Sequence, residues 1–299
     1  MFYIPVIGAF LESVGMIVEK KTLKKKNINF KNYTVYSFFA IVLVLIPFLF
    51  FTWRLDPAAF QLKNLIIFFA IAIIALLANL FIFYSLKRET LCEFEPVALM
   101  QPLFTILLAF IFSFFIEIYS NENNPLILVL ALIASITLII AHIKRHHLKF
   151  DKYIIATLIG SFLFAVELVL SKMILPYYSS WTFYFLRCVV ILIIAVIILR
   201  PSFKKIDKAT HYMTWGVSII FIIDRAIIYW GYENLGIIYT TIIISILSPI
   251  LIFIFARIFL KEKMTRRQII SAIIIVICVV IAIFQNYLMI FLNWIMHMI

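Results

Sequence analysis

The sequence alternates between long apolar stretches and short polar or basic connections. A helix that crosses the hydrocarbon core of a bilayer needs about 20 mostly apolar residues, and this criterion predicts ten transmembrane helices. The predicted spans are 2–18, 35–52, 64–85, 91–116, 126–143, 153–174, 181–199, 212–231, 237–260 and 268–287. Because the connections are too short to fold into a soluble domain, any binding site is expected within or between the spans. Residues 288–299 are too few for another span and are expected to extend the last helix or lie at the interface.

The composition also indicates a membrane protein. The chain is 66% hydrophobic and 13% charged, whereas soluble domains are about half apolar and a quarter charged. Lipid is therefore the expected solvent for most of the chain. The net charge of +12 is interpreted by its position in the connections, and no nucleic-acid partner is predicted.

The distribution of basic residues predicts an orientation. Most of the 26 Lys and Arg residues lie in the odd-numbered connections, whereas the other side of the predicted membrane holds only Arg54, Lys63 and Lys172. Basic connections usually face the cytoplasm, so the count places both termini outside it. The opening segment has no basic region before its apolar run and no cleavage site, so the first helix is expected to be retained.

Two segments indicate an internal duplication. Residues 7–23 align without a gap on 159–175 at seven identical positions, including Lys20 with Lys172, where apolar composition alone would give roughly two. Pro102 and Pro249 match at a similar offset. An offset of about 150 residues places five spans in each half, so the two halves must enter the bilayer from opposite faces. The predicted fold class is an all-α membrane protein of ten transmembrane helices arranged as an inverted 5+5 repeat.

These residues resemble a known family. The stretch from Tyr84 to Phe104, YSLKRETLCEFEPVALMQPLF, and the stretch from Ser245 to Gln268 are similar to the ten-helix, EamA-domain members of the drug/metabolite transporter superfamily. Arg187 also lies where members often carry an arginine. The resemblance implies two EamA-like repeats, at residues 1–148 and 149–299, and transport of amino acids, metabolites or nucleotide sugars through a central cavity. It also implies cytoplasmic termini, contrary to the basic-residue count.

The first helix of each repeat carries one carboxylate that is a candidate site residue. Glu12 and Glu167 lie three positions apart in the repeat alignment. Ionisable groups at membrane depth are costly and usually face a partner or a water-filled cavity. The pair could bind a cationic substrate or take up a proton. The alternative is that each carboxylate makes a hydrogen bond between helices or reaches the interface.

Asp224 and Arg225 lie together in the middle of an apolar span. Adjacent helical residues point about 100° apart, so each is expected to find partners on other helices. Arg187 or Glu167 could neutralise Asp224 or share a proton with it. Arg225 could pair with a protein carboxylate or recognise an anionic group of the substrate.

Eight further residues are candidates for the lining of the same cavity or for its hinges. Asn79 falls one position from the repeat counterpart of Arg225, and Gln101 adjoins Pro102. Pro102 and Pro249 each remove an intrahelical hydrogen bond, so they are candidate hinges, although a kink that serves packing is equally compatible. Trp215, Trp230, Tyr229 and Tyr232 could line the cavity or anchor the interface.

No catalytic or metal site is predicted. His142, His146 and His147 could in principle hold a metal, but a basic loop attracted to anionic headgroups accounts for them better. The six glycines form no phosphate cradle, so no ATP drive and no cofactor are predicted. Cys92, Cys188 and Cys278 show no paired spacing.

The sequence thus favours a secondary transporter in the plasma or inner membrane. It would export or exchange a small polar metabolite or an amino acid by alternating access. Proton exchange, counter-substrate exchange and the solute gradient all remain open as energy sources, and so does the oligomeric state. The alternative functions are a flippase or scramblase for a lipid or a lipid-linked sugar and, below that, a membrane-embedded enzyme.

Overall fold

The computed structural model describes most of the chain. The described residues are 3–25, 28–89, 94, 97–98, 100–122, 125–142, 151–202, 207–251, 270, 273–274, 277–278 and 281. His146 and His147 lie outside them, as do residues 288–299.

The described residues are almost entirely helical. The helices are α1 (Tyr3–Leu23), α2 (Phe30–Thr52), α3 (Leu62–Arg88), α4 (Met100–Ser113), α5 (Pro125–His142), α6 (Lys152–Ile174), α7 (Ser180–Leu199), α8 (Lys208–Asn234) and α9 (Ile237–Thr241). A π-helical turn at Ile242–Ile246 follows α9 directly, and the helix then runs on to Leu251. Short 3-10 turns cover Pro57–Phe60, Glu117–Glu122 and Leu175–Tyr177. The described ranges contain no β-strand beyond one isolated bridge between Leu55 and Tyr178.

Five of these helices are long and apolar enough to cross a membrane. They comprise α2, α3, α6 with the 3-10 turn after it, α7 and α8. Helix α1 has 21 residues but carries Glu12, Glu19, Lys20 and Lys21. Long apolar helices of this kind, together with the absence of strands from the described ranges, make this a polytopic integral membrane protein of the all-α class.

The observed helices coincide with the predicted apolar spans over most of the chain, and the differences have local causes. Helix α8 begins at Lys208, four residues before the predicted start, because the Asp207 side chain accepts a hydrogen bond from the backbone N–H of Thr210 and caps a polar first turn. Of the predicted span 268–287, only isolated positions are described, and all of them are helical.

Three helix pairs form the most extensive contacts. They are α3 with α6, α1 with α8, and α2 with α7. Glycines allow the first two pairs to approach closely. A Cβ added to Gly15 of α1 would lie 2.9 Å from the Phe221 ring of α8, and one added to Gly160 of α6 would lie 2.8 Å from Ile82 of α3. Small residues at such contacts are typical of helix packing in membranes.

Contacts between helix ends define two faces of the bundle. On the basic face, the Lys25 ammonium lies 3.2 Å from the Asp207 carboxylate, and Lys87 donates to the Leu23 carbonyl at 3.2 Å. The hydroxyl of Thr210, assisted by Lys25, holds the pKa of Asp207 below its usual range. On the opposite face, the backbone N–H of Asp56 donates to the Tyr177 carbonyl at 2.8 Å.

Candidate functional site

A cavity of about 160 Å³ lies between the helices at the depth of the buried charges. It receives eight of the nine residues that the sequence singled out, namely Glu12, Asn79, Gln101, Pro102, Arg187, Asp224, Arg225 and Pro249. Glu167 is absent from the lining. Both prolines are buried, and the π-helical turn at Ile242–Ile246 lies one helical turn before Pro249. Such turns recur at functional sites in helices.

The cavity lies nearer the basic face. Its lining includes the C-terminal half of α1 (Glu12 to Glu19), the N-terminal half of α2 (Ser37 to Ile41) and the C-terminal half of α3 (Asn79 to Phe83). All three halves end at the basic face. Tyr184 and Arg187 of α7 form the inner end, toward the opposite face.

Glu12, Asp224 and Arg225 line the cavity together and interact electrostatically. The Arg225 charge attracts both carboxylates, while the charges of Glu12 and Asp224 repel each other. Asp224 is only 1% exposed. Within the described part of the chain, Glu12 Oε2, Asp224 Oδ1 and Arg225 Nη1 are all buried and have no hydrogen-bond partner. The guanidinium carbon of Arg225 lies 5.7 Å from the centre of the Phe164 ring.

Glu167 lies behind the cavity and holds Arg187. The Glu167 carboxylate is fully buried and forms an ion pair with the Arg187 guanidinium. The Ser171 hydroxyl donates to Glu167 Oε1 at 3.2 Å, and the Tyr229 hydroxyl does so at 3.3 Å. The Arg187 guanidinium also lies over the rings of Tyr184 and Tyr229, at 5.0 and 5.6 Å. Arg187 Nε makes no hydrogen bond within the described ranges.

A set of contacts on the opposite face joins the two parts of the chain, and we call it the Glu122 latch. Glu122 Oε1 accepts hydrogen bonds from Lys172 Nζ and from the backbone N–H of Ile237, each at 2.5 Å. Glu122 Oε2 accepts from the N–H of Ile238 at 3.0 Å. One carboxylate thus neutralises a buried lysine at the end of α6 and caps the N-terminus of α9.

Comparison with known proteins now bears on this arrangement. The sequence profile described as the EamA-like transporter family matches residues 151–284. This segment is therefore similar to an EamA-like transporter domain. The resemblance to the drug/metabolite transporter superfamily that the sequence indicated is therefore confirmed. In this EamA-like domain lie Glu167, Arg187, Asp224, Arg225 and Pro249 of the predicted site.

Solved structures share the fold. Among 28 matching chains is one titled only "Crystal structure of protein", which superposes with a TM-score of 0.69 at 14% sequence identity. The alignment covers 93% of this chain and 95% of that chain, so the fold is shared over nearly the full length. Comparison with curated proteins gives no significant match.

Several residues that line the cavity were not predicted from the sequence. Glu19 lies on α1 seven residues after Glu12, a spacing that returns to the same helix face and was therefore detectable. Tyr184 and the hydroxyls of Ser37, Ser218 and Ser248 also line it. None of the four aromatic candidates on α8 lines this cavity: Tyr229 packs behind it, and Tyr232 lines a second cavity of about 480 Å³ on the opposite face.

Gly236 is required by the Glu122 latch. It has a positive φ of 94°, and a Cβ added there would lie 2.9 Å from Glu122 Oε1. We expect Gly236→Ala to lower the free energy of unfolding by about 1–2 kcal/mol, because a side chain at positive φ is strained and would also displace the carboxylate. Thermal unfolding of the purified protein measures the effect.

Gly216→Ala is the matched control for this substitution. Gly216 lies inside α8, and a Cβ added there would meet nothing within 4 Å. Alanine is favoured over glycine inside helices by about 0.5–1 kcal/mol, so this variant should be at least as stable as the original protein. Equal melting temperatures for the two variants would contradict the requirement for glycine at position 236.

Proposed function

We propose that this chain is a secondary transporter that moves a small polar metabolite or an amino acid across a membrane by alternating access, as an exporter or an exchanger. The observation that carries the proposal is the cavity itself, where buried charged atoms of Glu12, Asp224 and Arg225 lack partners in the described part of the chain. Unpaired charges at membrane depth are retained where they serve a substrate or ion pathway. The EamA-like transporter domain supports this interpretation.

The architecture proposed is ten helices in two inverted repeats, residues 1–148 and 149–299. The packing of the described helices supports it. In the repeat alignment α1 corresponds to α6, and α3 corresponds to α8. An inverted duplication would make the contact of α1 with α8 equivalent to that of α6 with α3, and these are two of the three most extensive contacts. The third, α2 with α7, would join equivalent helices across the pseudo-two-fold axis.

In the proposed cycle, the two halves rock about the cavity and expose it to each side in turn. The cavity extends toward the basic face, and Arg187, Tyr184 and the Glu122 latch lie between it and the opposite face. Because basic connections usually face the cytoplasm, we assign this conformation as open to the cytoplasm, in the plasma or inner membrane. Pro102 and Pro249 are the proposed hinges.

The predicted site residues have proposed roles. Arg225 would bind a carboxylate or another anionic group of the solute, and Glu12 with Asp224 would bind a positive charge. Asn79 and Gln101 would supply neutral hydrogen bonds. Asn79 now donates to its own helix, at 2.7 Å from the Ala75 carbonyl. Glu167 would act indirectly by holding Arg187 in place.

We expect Arg225→Ala to reduce solute uptake at least tenfold, because one lost hydrogen bond to a charged group is worth about 1.5–3 kcal/mol. A solute is first chosen from a panel of amino acids and small metabolites by its ability to raise the melting temperature. Its uptake into liposomes containing the purified protein is then measured. Arg88→Ala removes an exposed arginine at the end of α3 and serves as the control.

The same liposomes separate transport from the alternative functions. Accelerated lipid exchange without solute uptake would favour a flippase or scramblase for a lipid or a lipid-linked sugar. Turnover of a substrate in detergent would indicate a membrane-embedded enzyme, which we do not propose. Normal uptake by the Arg225→Ala variant would remove Arg225 from the binding site.

A further inference from the structure

The charges around the cavity are unequal in number. Among the described lining residues there are three carboxylates, Glu12, Glu19 and Asp224, and two arginines. Arg187 is already neutralised by its ion pair with the buried Glu167. Arg225 is therefore left to balance three carboxylates within this set. A cavity with such an excess of negative charge favours a positively charged occupant.

The excess is concentrated between α1 and α8. Glu12 and Asp224 are close enough for their charges to repel each other, and each has a buried oxygen that lacks a partner in the described ranges. Asp224 is 1% exposed and lines the cavity. Two neighbouring carboxylates in a low-dielectric site repel each other unless positive charge offsets them. Arg225 supplies one positive charge, so a proton or a bound cation is needed to balance the second carboxylate.

Other titratable and charged groups surround the pair on the packed helices. Arg225 adjoins Asp224 on α8, Arg187 and Tyr184 face it from α7, and Glu167 lies behind them on α6. Glu19 lies two turns from Glu12 toward the basic face, where its Oε1 accepts a hydrogen bond from the Tyr33 hydroxyl at 3.0 Å. The only cations among these groups are the two arginines, and Arg187 is committed to Glu167.

The walls of the cavity are suited to an organic cation. They include the rings of Phe38, Phe83, Phe164, Phe221 and Tyr184. Aromatic faces attract cations, and they also provide apolar surface for the body of a solute. A strongly hydrated metal ion would instead require several oxygen ligands.

We infer that the cavity binds the protonated amine of its solute between Glu12 and Asp224, and that a proton held by one of these carboxylates leaves when the amine enters. This inference deepens the proposed function and rests on it. Glu19 is the first carboxylate that the amine meets on its way from the basic face. The exchange is balanced in charge, because one ammonium group enters as one proton is released to solvent. The transporter would therefore be an amine/proton exchanger.

Three probes of matched shape test which charge of the solute the cavity prefers. They are 2-phenylethylamine, 2-phenylethanol and 3-phenylpropionate, which are cationic, neutral and anionic at pH 7. Binding to the purified full-length protein in detergent is measured by calorimetry in buffers of different ionisation enthalpy, which also reports proton release. We expect the amine to bind at least tenfold more tightly than either analogue, with net release of a proton.

Substitutions test the position of the site. Asp224→Asn and Glu12→Gln keep the side-chain volume and remove the charge, so each should weaken amine binding at least tenfold and abolish proton release. Glu117→Gln removes an exposed carboxylate on the opposite face and should leave both unchanged. If the cavity variants fail to fold, the comparison of the three probes on the original protein still decides the inference.

Tighter binding of the anion or the alcohol would overturn the inference, and so would an amine that does not bind or binds without proton release. An amine affinity of the Asp224→Asn and Glu12→Gln variants equal to that of the original protein would also overturn it. The proposed function is tested by different outcomes, which are measured in liposomes. Liposomes that take up a neutral or anionic solute would retain the transporter and lose the amine site. Liposomes that exchange only lipid would lose the transporter, whatever binds in detergent.

Discussion

Glu167→Gln is expected to lower the free energy of unfolding by about 3–5 kcal/mol, because removal of one partner of a buried ion pair leaves the other charge uncompensated. Arg187 is only 4% exposed, and Glu167 supplies its charged partner. The variant should melt at a clearly lower temperature in detergent and should also lose transport. Retention of the original melting temperature would show that Arg187 finds another partner.

A double substitution separates the two effects of this change. Glu167→Met combined with Arg187→Met removes both charges and restores apolar contacts, and such replacements are often neutral or stabilising. We expect the double variant to regain most of the lost stability but not transport, because Arg187 lines the cavity. Glu117→Gln, on an exposed turn, controls for the loss of a carboxylate. A double variant that transports normally would assign the ion pair to folding alone.

Glu122→Gln is expected to open the opposite face. The substitution removes the charge that neutralises Lys172 and weakens two bonds to the N-terminus of α9. Hydrogen bonds to charged groups are worth about 1.5–3 kcal/mol each, and 1.4 kcal/mol changes an equilibrium tenfold. We therefore expect the fraction of protein open at the opposite face to increase at least tenfold.

The opening can be measured by chemical labelling at Tyr232, which is 2% exposed and lies beside the second cavity. Tyr232→Cys, in a chain whose own cysteines are replaced, reports access of a membrane-impermeant maleimide from the opposite face. Glu122→Gln should raise the labelling rate at least tenfold, whereas Glu117→Gln, on the same turn, should not. An unchanged rate with Glu122→Gln would show that other contacts keep this face closed.

The positions of the helices were predictable because apolar length alone determines which segments can cross lipid. A shared cavity for Glu12, Asp224 and Arg225 was also predictable. Burying a charge in a membrane is costly, so charged groups at membrane depth usually lie in a common polar environment. The sequence could not choose a partner for Arg187, because several carboxylates at similar depth were available. Only the packed structure places Glu167 behind it and leaves Asp224 facing the cavity.

The Glu122 latch could not be predicted, because its partners are far apart in the sequence. Glu122 and Ile237 are separated by 115 residues, and no local pattern marks a carboxylate that will cap a distant helix. The identity of Lys20 and Lys172 in the repeat alignment was the only hint that Lys172 had a role. The early start of α8 has a local cause, and it could have been predicted from Asp207 as a capping residue.

The carboxylate that caps α9 belongs to the first half of the chain, whereas the capped helix and its lysine belong to the second. Neither half can therefore form this contact by itself. If the polypeptide were divided near residue 148 and the two fragments were produced together, this bond would favour their reassembly. The isolated second fragment would instead expose a lysine and a helix end whose counter-charge, Glu122, was left on the missing piece.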